Sequence, residues 1–193
     1  MIAQVNPEQR LNRLLLGRYR IMSYAELSEP YQLALAYWMC IDGEAWDPKF
    51  DEATKAAICP AYEHARSGSD AVKQALRKSL PGLVRRYGRR LFGVAEIPTS
   101  ALLETLACDV SFLKEGGTLA GIGMEPVAAD AHPATNRWPI ILSATESELM
   151  EDGWHRLGCY VHRGDETLPV VFFPTRKQIA RARRDRAKAT LQA

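Results

Sequence analysis

The sequence predicts a mixed α/β (α+β) protein: a helical N-terminal region over 1–88, a mixed-sheet domain over 89–175, and a basic C-terminal helix or tail over 176–193. Three observations predict it. Helix start signals and long apolar stretches dominate the first part. Near Leu91 the texture changes to short apolar runs bounded by Pro and Gly, the pattern of strands. From Arg176 onward the residues are mostly Arg, Lys and Ala, a solvated helical composition.

In the first part, Ser23-Tyr24-Ala25-Glu26 has the spacing of a capping box, in which hydroxyl and carboxylate satisfy orphan N–H groups. Ser28-Glu29-Pro30 is a competing start, because Pro is tolerated in a first helical turn. The second is favoured as the start of a helix reaching about Cys40. Asp42-Gly43 and Trp46-Asp47-Pro48 read as loop. Asp51 caps a further helix running to about Ala65. Another begins at Ser69 or Asp70, and Pro81-Gly82 is expected to interrupt it.

In the second part, Leu91 to Ile97 is an apolar run that ends at Pro98 and reads as a strand. Thr99 or Ser100 then caps a helix carrying Leu102, Leu103 and Leu106. Gly116-Gly117 and Gly121-x-Gly123 mark a flexible stretch. Trp138 to Leu142 reads as a second strand, and Glu148-Leu149-Met150 as a third. Leu157, Tyr160 and Val161 recur at helical spacing, and Gly164 sits where a left-handed helix end belongs. Thr167 to Phe173 is the fourth strand.

At 193 residues the chain suits one medium domain, or a small one with a helical extension, and an apolar share of 47% provides a core. No run approaches the roughly 18 apolar residues of a membrane span, and no signal-peptide order opens the chain. A cytoplasmic location is therefore expected, with an optional peripheral site at the inner face of the membrane. Cys40, Cys59, Cys108 and Cys159 form no C-x-x-C pair and read as buried thiols. The formal net charge is only +2, but it is unevenly placed. One basic run includes Arg85, Arg86, Arg89 and Arg90. The tail includes Arg181, Arg183 and Arg184. Such asymmetry suits a polyanion, either nucleic acid or an anionic membrane; a solvated helix end is the competing explanation.

The segment Glu151-Asp152-Gly153-Trp154-His155-Arg156 falls where a strand ends and a helix begins. A Gly turn there would direct backbone N–H groups outward beside an imidazole and a guanidinium, an arrangement that holds anions. Arg156 is the expected phosphate fork and His155 a donor or acid–base group. Gly153 would permit close approach of a phosphate. Asp152 and Glu151 are candidates for a divalent cation, with helix capping the alternative for Asp152. His155, Cys159 and His162 share helical spacing, but a structural zinc site needs a fourth ligand.

Taken in order, Val94-Ala95-Glu96-Ile97-Pro98, Trp138-Pro139-Ile140-Ile141, Asp152-Gly153-Trp154-His155-Arg156 and Glu166-Thr167-Leu168-Pro169-Val170 resemble the ParB/sulfiredoxin superfamily. The resemblance covers roughly residues 90 to 174. It implies a nucleotide or DNA phosphate site at the Asp152–Arg156 turn, with Glu96 as a catalytic base. Thr99, Ser100 and Arg137 would be further phosphate contacts. The sulfinic-acid reductases of this superfamily need Cys directly before His-Arg; Trp154 stands there, so that chemistry is not expected.

The layout of the whole chain resembles the plasmid-encoded fertility-inhibition (oncogenic suppression) proteins. That likeness implies ATPase and metal-dependent DNase activity, with ATP and a divalent cation (Mg) as cofactors. It also implies DNA and the coupling protein of a type IV secretion system as partners, and inhibition of conjugative or T-DNA transfer. A non-catalytic inhibitor that binds DNA or the coupling protein, and a serine-type small-molecule kinase, are the alternatives.

Overall fold

The computed structural model describes residues 7–41, 70–109, 137–143 and 149–191. The expected helix from Asp51 to Ala65 and the glycine-rich stretch at Gly116–Gly123 lie outside the described residues. Within them the chain runs α1 (Pro7–Leu15), β1 (Arg20–Ser23), α2 (Glu29–Ile41), α3 (Asp70–Tyr87), β2 (Leu91–Pro98) and α4 (Thr99–Asp109). It continues through β3 (Ile140–Leu142), β4 (Met150–Asp152), α5 (Trp154–Arg163), β5 (Thr167–Phe172) and α6 (Arg176–Leu191). The expected mixed α/β class is therefore present.

The five strands form one sheet in the order β1-β2-β5-β3-β4. β3 and β5 are parallel, and the other neighbours are antiparallel. Side-chain alternation divides the core between the two faces. Phe92, Val94, Ile141 and Val171 pack with Leu33, Tyr37, Leu76 and Trp138, which brings in α2 and α3. Ile97, Ile140, Leu168, Val170 and Phe172 pack with Leu11, Leu102 and Leu157, from α1, α4 and α5. Both faces are thus covered, which is why β5 reads as a nearly continuous apolar run. Pro169 is tolerated in this inner strand because the ladder to β3 starts one residue later, at Val170. Gly93 lies opposite Phe172, and a Cβ there would come within 2.0 Å of the Phe172 ring.

Both competing N-terminal start signals are used. The Glu26 carboxylate accepts hydrogen bonds from the Ser23 N–H and hydroxyl, each at 2.7 Å, closing a 3-10 turn over Tyr24–Glu26. α2 then begins at Glu29, as expected. Three expectations need correction. The first region is not purely helical, since β1 pairs with β2. β1 is short, with Arg and Ser at its ends, so it has too little alternation to announce itself. The expected break at Pro81-Gly82 does not occur; α3 runs through it. Pro81 is exposed, while Leu76 and Leu83 anchor the helix in the core, and Arg77 pairs with Glu29 of α2 at 2.6 Å. Packing therefore offsets the missing backbone hydrogen bond. Lastly, the third strand is shifted, running from Met150 to Asp152.

Candidate functional site

The Asp152–Arg156 turn has the backbone expected of it. Gly153 is left-handed, with φ 110° and ψ 19°, and α5 starts at the next residue. α5 ends at Gly164, φ 70°, whose N–H donates to Val161 at 3.0 Å, the glycine stop anticipated from the sequence.

The side chains at this turn do not face outward. Arg156 is 4% exposed. One end of its guanidinium donates to the Pro139 carbonyl at 2.7 Å, and the other pairs with the Asp152 carboxylate. The fork expected to grip phosphate instead ties α5 to β4 and to the lead-in of β3. Gly153 follows suit. A Cβ on it would lie 3.2 Å from Arg156 Nε and 3.3 Å from Ile140 Cα, so protein occupies the room that a phosphate would need. His155 stands in the first turn of α5, and its side chain lies outside the described groups.

The metal pair is also unfavourable. Glu151 and Asp152 are consecutive residues of β4, so their side chains leave opposite faces of the strand. Among the described residues no three His, Cys, Asp or Glu side chains form a set that could hold a metal ion. Cys159 is buried, and burial raises its thiol pKa, whereas His162, one turn further along α5, is exposed. As arranged here, the Arg156 guanidinium and the Asp152 carboxylate are engaged with protein groups.

Thr99 has a different task from either expected one. Its hydroxyl donates to the Asp165 carbonyl at 2.6 Å and its N–H to the Glu166 carbonyl at 3.0 Å. At 7% exposure it fastens α4 to the α5–β5 turn. Ser100 beside it is exposed.

Glu96 and Arg137 do come together. Arg137 Nη2 lies 3.3 Å from Glu96 Oε2 and donates to the Thr167 carbonyl at 2.6 Å. Both side chains are about half exposed, at 44% for Arg137 and 52% for Glu96. Tyr160 and Arg163 join this end of the sheet, although the sequence did not single them out for a site. The Tyr160 hydroxyl donates to the Trp138 carbonyl at 2.7 Å. Arg137 and Arg163 lie over its ring at 5.9 and 4.9 Å, a cation–π arrangement. Burial pushes the Tyr160 hydroxyl pKa well up, against the lowering influence of Arg156, Arg137 and Arg163. Tyr31 of α2 is raised to about 12, first by burial and then by Glu96, with Arg137 and Arg20 opposing.

The basic runs are exposed as expected. Arg85 and Arg86 end α3, and Arg89 and Arg90 lead into β2. Arg90 stacks over Phe92 and Phe173, at 6.0 and 5.5 Å. Arg181, Arg183 and Arg184 are exposed on α6. Arg181 reaches Asp185 at 3.8 Å. No helix among the described residues is long and apolar enough to cross a membrane.

No protein-family model, curated protein or solved structure matches the chain.

Proposed function

We propose that the chain is a plasmid-type fertility-inhibition factor of ParB/sulfiredoxin-like fold. It binds DNA through the phosphate backbone and thereby blocks conjugative or T-DNA transfer through a type IV secretion system. One observation carries the DNA part. Arg20 of β1 and Arg181 and Arg183 of α6, far apart in the chain, line one groove. Guanidinium groups on two elements suit the repeated charges of a polyanion, and they give sequence-tolerant, salt-sensitive binding. The coupling protein and the inner membrane's cytoplasmic face are further acidic partners that such a surface would suit. Titration of labelled DNA at increasing salt tests the reading. Binding that weakens steeply with salt supports it, and no binding at low salt removes it.

ATPase and DNase activity forms a second reading, favoured by the half-exposed Glu96 carboxylate beside Arg137. A carboxylate there can accept a proton from water or a hydroxyl, and Arg137 can meet developing negative charge. Because Asp152 and Arg156 are engaged with each other, Glu96 is the residue to substitute. Wild-type and Glu96→Gln protein would be incubated with plasmid DNA, ATP and Mg. Nicking and phosphate release by wild type alone support catalysis. If neither protein exceeds a mock preparation, the chain inhibits by binding.

A further inference from the structure

The C-terminal helix does not close flat against the sheet. Between α6 and the edge strand β1 lies a groove of about 360 Å³, within the usual range of small-ligand sites. One part of its wall is apolar, formed by Tyr19, Ile21, Leu91 and Ile179. The rest is charged. Arg20, Arg181 and Arg183 face it against Glu26 and Asp185. The two acids have partners already: Glu26 accepts from Ser23, and Asp185 lies 3.8 Å from Arg181. Among the described residues, no acidic side chain is within ion-pair distance of Arg20 or Arg183. Positive charge at the rim and an apolar wall inside suit a ligand with an anionic head and a flat or apolar body.

We infer that this groove takes a nucleotide unit. Arg183 and Arg20 contact its phosphate, and its sugar or base lies along Tyr19 and Ile21. The inference rests on the nucleic-acid reading above and locates the strand on the protein. The unit can belong to a single strand of DNA or to a free nucleotide. A duplex is too broad to enter, so the groove favours single strands. Tyr19 is held for this role by an edge-on contact with Phe172, ring centroids 5.6 Å apart. Aromatic walls beside basic rims are the usual means of holding single strands without regard to sequence.

The test compares two charge reversals on adjacent residues. Arg183 lines the groove, whereas Arg184, exposed on the same helix, does not. Arg183→Glu and Arg184→Glu therefore change net charge equally. Circular dichroism melting first establishes that both fold as wild type does. Fluorescence anisotropy with a labelled oligothymidine then measures affinity, and a parallel titration uses a fluorescent ATP analogue. The groove predicts that Arg183→Glu weakens binding about tenfold or more, while Arg184→Glu costs about twofold. Loss with the oligonucleotide identifies a DNA strand as ligand, and loss with the ATP analogue alone identifies a free nucleotide. Equal effects of the two reversals overturn the groove and leave diffuse DNA binding standing. A wild-type protein that binds neither probe overturns both readings.

Discussion

Arg156 and Asp152 stand four residues apart at the start of α5, and their ion pair is closed inside the protein rather than offered to a ligand. The second arm of Arg156 ends on the Pro139 carbonyl. A residue placed to bind phosphate would leave donors directed at solvent. This one holds three pieces of chain together.

Its removal should therefore cost stability. Arg156→Ala leaves the Asp152 carboxylate without its partner and the Pro139 carbonyl without its donor. Because the Asp152 side chain is 20% exposed and keeps some contact with water, breaking the pair from this side costs about 1–3 kcal/mol. Denaturant unfolding should show this as a lower midpoint. An unchanged midpoint would mean that the pair is not formed in solution.

At Gly153→Ala the new Cβ meets Arg156 and Ile140 at 3.2 to 3.3 Å, on a backbone with φ 110°. The left-handed strain alone is of order 1–3 kcal/mol. The same denaturation experiment should place this variant below wild type, with DNA affinity of the folded protein unchanged. A selective loss of phosphate or DNA binding would return the turn to the role first expected of it.

Alkaline pH should loosen the fold. Tyr31 titrates near 12 when folded, against an ordinary value of 10.0, and Tyr24 and Tyr160 are raised by burial as well. The folded state thus keeps protons that the unfolded chain releases. Stability is fully present below pH 10 and falls as pH climbs through 10 toward 12. Melting temperatures across that window should decline, and Tyr31→Phe should decline less steeply. A flat profile would contradict the burial of these hydroxyls.

Removing residues after Phe173 should have two effects. Gln178 donates to Asn12 at 2.9 Å and the Thr175 hydroxyl to Glu8 at 3.0 Å, so α6 is fastened to α1 beside β1. Without α6 the edge strand is exposed and open to pairing with another copy. Size-exclusion chromatography should show self-association, and DNA binding should weaken with a flatter salt dependence. A monomer with unaltered binding would assign the basic helix to another partner.

These outcomes also mark what the sequence made legible. Local signals held wherever a backbone rule acts alone: the left-handed Gly153 and Gly164, the Ser23–Glu26 cap, and the strand ending at Pro98. They failed where tertiary contact decides. β1 is a strand because β2 offers it a ladder, and Pro81 stays helical because its neighbours are anchored. The site followed the same division. Composition sufficed to mark the arginine runs as exposed. Whether Arg156 faced in or out depended on Pro139, a residue distant in sequence, so spacing carried no information about it. Thr99 was similarly claimed by the Asp165 and Glu166 carbonyls.

If phosphate is met on the arginine surface and not at the Asp152–Arg156 turn, the salt dependence of DNA binding must follow those arginines. The most direct measurement is the slope of log K against log salt for DNA binding. It would compare wild type with the combined variant Arg20→Ala, Arg181→Ala and Arg183→Ala, the three arginines of the groove. Each phosphate contact removed should flatten the slope by roughly 0.7 for single strands or 0.9 for duplex. A steep wild-type slope and a shallower one for the variant are expected; identical slopes, or no DNA binding by wild type, would mean that these arginines do not meet phosphate.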